Sequence, residues 1–415
     1  MSQTERPLNA AVLARRALRL TARLIERYGP RLTGTESCRG AADELYEEMK
    51  PACDAVERES FTMHPGSFLG FMKVSPTLFI AATFLMFFGY VASAAMVYTI
   101  AAIMAFSQFI CYREVFDVFY PVREGVNIYG VIEPAGEVRC QVIVSGHHDS
   151  AYEFTLMTRL PGIYRFCVAG MILALTLAPV FAWASLVSLT MRGGGSGIAS
   201  ALTVGAFVSL VFIVPMYIFT GRNGTPGAGD NLIASAITVE LAKYYGGAKK
   251  AGNHMLRHTR LIFASFDAEE AGLRGSRAFV KRHRAKLHAV PTSVLNLDSI
   301  YRADRIKFLV SDINGFVRLS RAMAKECMAA AAAAGYESRP FCVYPGVGGT
   351  DAAEFAKIGI EATTLIALPT DVEKERTVYH TREDTVENIE PGAVEACIRI
   401  IDGYIIKKEA GARVA

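Results

Sequence analysis

Apolar and polar positions follow two regimes along the chain. Over most of its length hydrophobic residues recur at helical or alternate spacing, and in two zones they run on without interruption. Residues 8–28 have helical periodicity, and AADELYEEMK (41–50) fits a second helix, with GPRLTG between them as a turn. Downstream, VNIYGVIE (126–133) and RCQVIVSG (139–146) read as strands joined at PAGE, an antiparallel pair. A helix at 231–245, the strand TRLIFASF (259–266), a helix at 276–287 and the strand SVLNLDSI (293–300) follow. Further strands are expected at 305–312, 339–344 and 362–368, and helices at 315–335 and 391–408. This alternation predicts an α/β fold, a mixed central sheet with helices on both faces.

The uninterrupted zones ask for something else. From Val74 to Tyr112 there is no Asp, Glu, Lys, Arg or His, and Phe166–Met191 and Gly193–Gly221 are likewise uncharged, separated by Arg192 alone. A spanning helix needs about 20 apolar residues. Each zone therefore predicts an inserted transmembrane hairpin, the first turning near Gly89–Ala95 and the second at Arg192–Gly197. The competing reading is four buried helices of a large soluble core or a dimer interface. The uncharged lengths favour spans. The expected organisation is a polar domain made of 1–73, 113–165 and 222–415, with hairpins at 74–112 and 166–221.

Charge adds direction. Lys73, Arg113, Arg159, Arg165 and Arg222 flank the spans on one side, against Arg192 at the far turns. The positive-inside rule then puts the polar domain of this multi-pass protein in the cytoplasm. The N-terminal MSQTERPLNAAVLARRALRL is no secretory signal, since Arg15, Arg16 and Arg19 break up any apolar core. A net charge of +4 gives no case for nucleic acid, and eight cysteines without a CxxC pair give none for a disulfide framework. The basic run KRHRAKLH (281–288) reads as a solvated helix face.

Candidate chemistry gathers where α/β sheets bind ligands, at the carboxyl ends of strands. The strand ending at Gly146 runs into His147, His148, Asp149 and Ser150. TRLIFASF runs into Asp267, Glu269 and Glu270 in SFDAEEAGLRGS, and SVLNLDS carries Asp298. Asp230 in GAGDN and His380 in YHTRED lie in loops. Two imidazoles and several carboxylates suit zinc or another divalent ion at a hydrolytic site. A pair of ions needs a bridging carboxylate and terminal ligands on each. His147, Asp230, Glu270, Asp298 and His380 supply five such groups, with Glu269 left over.

In order along the chain, GPRLTG, GHHDS, GAGDN, AEEAGLRGS, NLD, GTDAAEF and YHTREDT resemble the motifs of the M28 family of zinc peptidases, the di-zinc aminopeptidases. The resemblance covers nearly the whole chain outside the apolar insertions. It implies two zinc ions: His147 and Asp298 on one, Glu270 and His380 on the other, and Asp230 bridging. It makes Glu269 the general base toward metal-activated water and Asp149 the partner that holds the His147 imidazole. It implies a cis Asp230–Asn231 peptide. His148 becomes a cleft-wall residue, and Asp267 a helix cap or solvated side chain. One departure stands out: where better-known members place a tyrosine before the (S/T)D motif, this chain has Val347, with Tyr344 nearby.

The implied function is hydrolysis of N-terminal peptide bonds of peptides by a membrane-embedded aminopeptidase. The alternatives are a glutaminyl-cyclase-like acyltransferase, generally mono-zinc, and a non-catalytic membrane scaffold. Manganese or cobalt would accept the same ligands. Both hairpins are expected to leave the sheet on the side of the site, turning the cleft toward the lipid bilayer and toward apolar peptides.

Overall fold

A computed structural model of the 415-residue protein describes residues 8–191, 196–369 and 378–414, with the backbone alone for 196–200. The turn expected at Arg192–Gly197 thus begins outside the described residues. The chain divides into two compact units. One comprises Met1–Pro65, Val122–Glu153 and Asn223–Ala415, the other Gly66–Pro121 and Phe154–Arg222.

The first unit is built on one sheet. Its strands are β1 (Ala55–Met63), β2 (Arg123–Ile132), β3 (Cys140–His147), β4 (Thr259–Phe266), β5 (Thr292–Ile300), β6 (Lys307–Asp312), β7 (Val317–Arg318), β8 (Arg339–Cys342) and β9 (Glu361–Ala367). Their order is β1-β2-β4-β3-β5-β9-β6-β7, with β8 beside β6. β4, β3, β5 and β9 are mutually parallel, while β1, β2 and β6 introduce antiparallel pairings. The helices of the chain are α1 (Ala10–Tyr28), α2 (Glu36–Met49), α3 (Pro65–Phe87), α4 (Val91–Ala105), α5 (Thr155–Arg159), α6 (Tyr164–Met191), α7 (Ser196–Ile213), α8 (Ile233–Lys250), α9 (Arg274–Ala289), α10 (Arg321–Ala333), α11 (Ala352–Lys357) and α12 (Pro391–Val414).

Side chains along a strand alternate faces, and the two cores sort accordingly. Val142, Val144, Leu261, Phe263, Leu295 and Leu297 pack with α1, α2, α8, α10 and α12. Ile143, Ile262, Ala264 and Val294 pack on the other face with Phe279 and Val280 of α9 and Phe355 of α11. This is the mixed sheet with helices on both faces that the alternation predicts. Asn9 and Thr35 start α1 and α2 by accepting the N–H groups of Val12 and Cys38.

Two expectations need correction. β2 and β3 are not a hairpin pair, because β4 lies between them, antiparallel to β2 and parallel to β3. The residues around PAGE instead bond to the segment entering β4, through Ala135 N to Leu256 O and Gly136 N to Arg257 O. β3 and β4 bury nearly every side chain on both faces. Central placement of both satisfies that burial better than a local turn would. β1 was not expected, since AVERESFTM is polar; as an edge strand it buries only Phe61 and Met63.

The second unit holds α3 to α7. Pro65–Phe87, Val91–Ile110, Pro161–Met191 and Ala201–Ile218 are long and apolar enough to cross a membrane, with mean hydropathies of 1.6, 1.6, 2.1 and 2.2. The first begins at Pro65, earlier than the uncharged zone, because GSFLGFM extends the apolar run past Lys73. Small residues meet inside, among them Ala82, Ala94, Ala95, Ala174, Ala178 and Ala182. A Cβ on Gly170 would lie 2.2 Å from the Phe212 ring.

Chain crossings leave the first unit as two pairs. Met63 is opposite Arg123 in the β1–β2 ladder. Glu153 N bonds Asn223 O at 3.0 Å, beside a bridge between Tyr152 and Gly224. β2 opposes β4, so the start of β2, like the stretch after β3, lies at the carboxyl ends of the parallel strands.

Candidate metal centre

Three adjacent parallel strands deliver the first groups to one edge. β3 ends at His147, Asp267 to Glu270 follow β4, and β5 carries Asp298. Asp230 lies in the turn before α8, and its peptide bond to Asn231 is cis, as the motif resemblance implies. That turn is held from two sides. Asn231 Nδ2 donates to Leu297 O of β5 at 2.8 Å, and Gly229 N and Asp230 N donate to the Asp384 carboxylate at 2.8 and 3.2 Å. His380 comes from the loop before α12, with a φ of 53°.

These residues converge. Asp230 has an imidazole near each oxygen: His147 Nε2 is 3.4 Å from Oδ1, and His380 Nε2 is 2.8 Å from Oδ2. His380 Nε2 is also 3.2 Å from Glu270 Oε1, and His147 Nε2 is 3.8 Å from Glu269 Oε2. Ligand atoms of His147, Asp230 and Glu270 lie within 4.8 Å of one another, as do those of His147, Glu269 and Asp298. All seven residues expected at the site, Asp149 included, are brought together.

Asp149 organises the group from behind. His147 Nδ1 is 3.2 Å from its Oδ1. The backbone N–H groups of Glu269 and Glu270 donate to its two oxygens at 3.2 and 3.1 Å, and Thr33 Oγ1 donates to Oδ2 at 2.8 Å. The adjacent glutamates are thus fixed through their backbone, leaving both side chains free to face the cluster.

Electrostatics name what the cluster lacks. Burial, with Asp298 and Glu270 facing it, pushes Glu269 well above the usual carboxylate range, only partly offset by His147. Burial pushes Asp298 up in the same way, helped by Asp230, and also raises Glu270. Asp230 goes the other way: against its burial, His147 and His380 hold it ionised. Against its own burial, His380 is lifted to about 10 by Glu270 and Asp230. Carboxylates that seek protons and imidazoles that keep them describe a pocket short of positive charge. Three buried atoms, His147 Nε2, Asp230 Oδ2 and Glu270 Oε1, make no hydrogen bond among the described residues. Nitrogen and oxygen donors left open toward one another fit divalent metal ions, zinc among them.

The structure also corrects two expected roles and adds others. Asp267 is fully buried, not solvated. It accepts Val126 N at 3.0 Å and the Cys38 thiol at 3.3 Å. His148 is fully buried rather than on a cleft wall, with Nδ1 2.8 Å from Ser265 Oγ. Val347 and Tyr344 are 42% and 54% exposed. Residues not singled out from the sequence are Arg31, Asp384 and Tyr379. Arg31 is buried and donates to the carbonyls of His148, Gly29, Pro226 and Gly227. The Tyr379 ring stacks on His380 at 3.9 Å, and its phenol, raised by burial, feels Asp230, Glu270, Asp298 and Glu269. Their signal was their membership of the GPRLTG and YHTREDT motifs.

The family described as Peptidase family M28 matches residues 209–405, which contain Asp230, Glu269, Glu270, Asp298 and His380 but not His147. That match bears out the motif resemblance. Solved structures that resemble the chain include a zinc aminopeptidase from Bacillus subtilis, 14% identical, with a TM-score of 0.56 over 95% of each chain. A Zn-dependent exopeptidase from Parabacteroides distasonis is 14% identical, covers 94% of this chain and 97% of that one, and has a TM-score of 0.55. A glutaminyl cyclase from Fimbriiglobus ruber is 14% identical, covers 98% and 97%, and also has a TM-score of 0.55. At this identity the likeness is one of fold. Over 72 residues the chain is 43% identical to a probable glutamate carboxypeptidase of Arthroderma benhamiae, a match that takes in 17% of this chain and 10% of that protein.

Proposed function

We propose that the protein is a membrane-embedded aminopeptidase that holds two zinc ions and hydrolyses N-terminal peptide bonds of peptides. The observation that carries the proposal is Asp230, with one imidazole near each carboxylate oxygen. A bridging ligand shared by two ions has this arrangement. In this reading His147 and Asp298 hold one ion, Glu270 and His380 the other. Bound there, the ions would polarise the scissile carbonyl and make water acidic enough to lose a proton near neutral pH.

The protein's own residues do the rest. Glu269 takes the proton from water and passes it to the departing amine. Its side chain faces the cluster, with Oε2 3.8 Å from His147 Nε2, where a base must reach the water it deprotonates. Asp149 keeps the His147 ring oriented and pins the backbone of Glu269. Tyr379, its ring stacked on His380, is the tyrosine this reading assigns to the oxyanion in place of Val347. In this reading the four apolar helices anchor the chain in the bilayer, and the charge bias along the sequence supports a cytoplasmic catalytic unit.

Detergent-purified full chain should contain about two zinc ions and cleave leucyl- or alanyl-anilides, losing activity to a chelator and regaining it with zinc. Cyclisation of N-terminal glutamine without anilide cleavage would replace this reading with a cyclase. Release of C-terminal glutamate would replace it with a carboxypeptidase, and absence of bound metal would end it.

A further inference from the structure

Three buried side chains that this chemistry does not use meet next to the site. They are Cys38 of α2, His148 directly after β3 and Asp267 directly after β4, all fully buried. One ligand atom from each lies within 4.8 Å of the other two. Cys38 Sγ donates to Asp267 Oδ1 at 3.3 Å, and Asp267 Oδ2 accepts Val126 N.

The protons around His148 can be placed one by one. The single hydroxyl proton of Ser235 goes to the His147 carbonyl at 2.9 Å, since a carbonyl only accepts. Ser265 Oγ, 2.6 Å from Ser235 Oγ, must therefore donate to it. Ser265 then has no proton left for His148 Nδ1 at 2.8 Å, so Nδ1 carries the hydrogen and donates. In the neutral ring Nε2 is left as a bare lone pair, buried, with no hydrogen-bond partner among the described residues. An acceptor left open in a dry interior, on a histidine clustered with a thiol and a carboxylate, is a ligand in search of a cation.

We propose that Cys38, His148 and Asp267 form a separate site for one zinc-class divalent cation, distinct from the di-zinc centre. A thiolate, an imidazole nitrogen and a carboxylate oxygen suit a borderline-soft ion, whereas the neighbouring centre offers only nitrogen and oxygen. Ser265 plays the part that outer-shell partners play at metal-bound histidines, fixing ring and tautomer. On binding, the Cys38 S–H bond breaks, its proton leaves to solvent, and the sulfur electron pair forms the metal–sulfur bond; no electron is transferred. The ion's two positive charges are matched by the thiolate and Asp267. The site would staple α2 to the ends of β3 and β4. It does not depend on the peptidase reading.

The test uses cobalt(II) added without oxygen to metal-stripped full chain in detergent. A near-ultraviolet thiolate-to-cobalt charge-transfer band should appear, because the di-zinc centre contains no sulfur. It should persist in C342S, which removes an exposed thiol. It should vanish in C38S, with cobalt content falling by about one ion per chain. In S265A the band should need about 10- to 100-fold more cobalt. No band in the wild type, a band that survives in C38S, or a cobalt requirement unchanged in S265A would overturn the proposal. If C38S fails to fold, absence of the wild-type band or an unchanged cobalt requirement in S265A still overturns the proposal.

Discussion

The two units use apolar residues in opposite ways. In the sheet unit the buried positions are apolar on both faces of the strands, and its helices keep their charged sides outward. In the helical unit the outward positions are themselves apolar: Phe84, Phe87, Phe88, Ile100, Phe166 and Leu173 are all exposed. Its interior mixes alanines with Phe71, Phe79, Met86 and Met171, and buries hydroxyls, with Thr83 bonded to Tyr98 and Ser75 donating to the Ala101 carbonyl. In water the hydrophobic effect would drive those phenylalanines inside. Small residues and hydrogen bonds at helix contacts are instead what holds helices together when the solvent is lipid. The ionisable cluster sits wholly in the sheet unit, where neighbouring strands and loops satisfy its backbone.

That contrast can be broken most sharply at Glu269. Glu269→Gln should keep its metals and its membrane extraction behaviour while anilide turnover falls about a hundred- to ten-thousand-fold. Undiminished turnover would take the base away from Glu269. Tyr379→Phe should lower kcat by up to about a hundredfold with little change in KM, as loss of one oxyanion donor does. An equal kcat would return that role to the ions and the backbone.

A charge tests the outer surfaces directly. Leu173→Arg, at an exposed position of α6, should cost about 2.5–3.5 kcal/mol in an insertion assay if that surface faces lipid. Ile406→Arg, exposed on α12, should change stability by no more than about 0.5 kcal/mol. Equal tolerance at both would deny the helical unit its lipid. The smallest effect is expected at Glu409, which accepts the N–H groups of Arg257, His258 and Thr259 and pairs with Arg413. Burial opposes its ionisation, yet these donors hold its carboxyl below the usual glutamate range. Its contribution to stability is therefore complete above the unfolded glutamate pKa and disappears as pH falls through the lower folded value. The stability gap between wild type and Glu409→Gln, followed by urea titration, should close in that acid window; a gap independent of pH would refute the assignment.

Much of this was legible along the chain, for identifiable reasons. Strand TRLIFASF ends where it was expected, at Phe266, because an unbroken apolar run followed by Asp267 and two glutamates leaves little freedom. The apolar zones were readable as four helices apolar enough to cross a membrane because their uncharged runs reach spanning length. β1 escaped because an edge strand buries few side chains and so carries little pattern. The place of β4 between β2 and β3 escaped because strand order is a long-range property.

The sequence by itself determined most of the elements, the four helices apolar enough to cross a membrane, and the acids and imidazoles that motif order made candidate ligands. Tertiary structure alone decided that Asp230 would face two imidazoles, that Asp267 and His148 would be buried beside Cys38 rather than in the cleft, and that Asp384 and Asn231 would hold the Asp230 turn in place. The physical reason is range. Periodicity and composition act over a few residues. A site assembled from positions 147, 230, 270, 298 and 380 exists only once the sheet has brought distant strand ends to one edge.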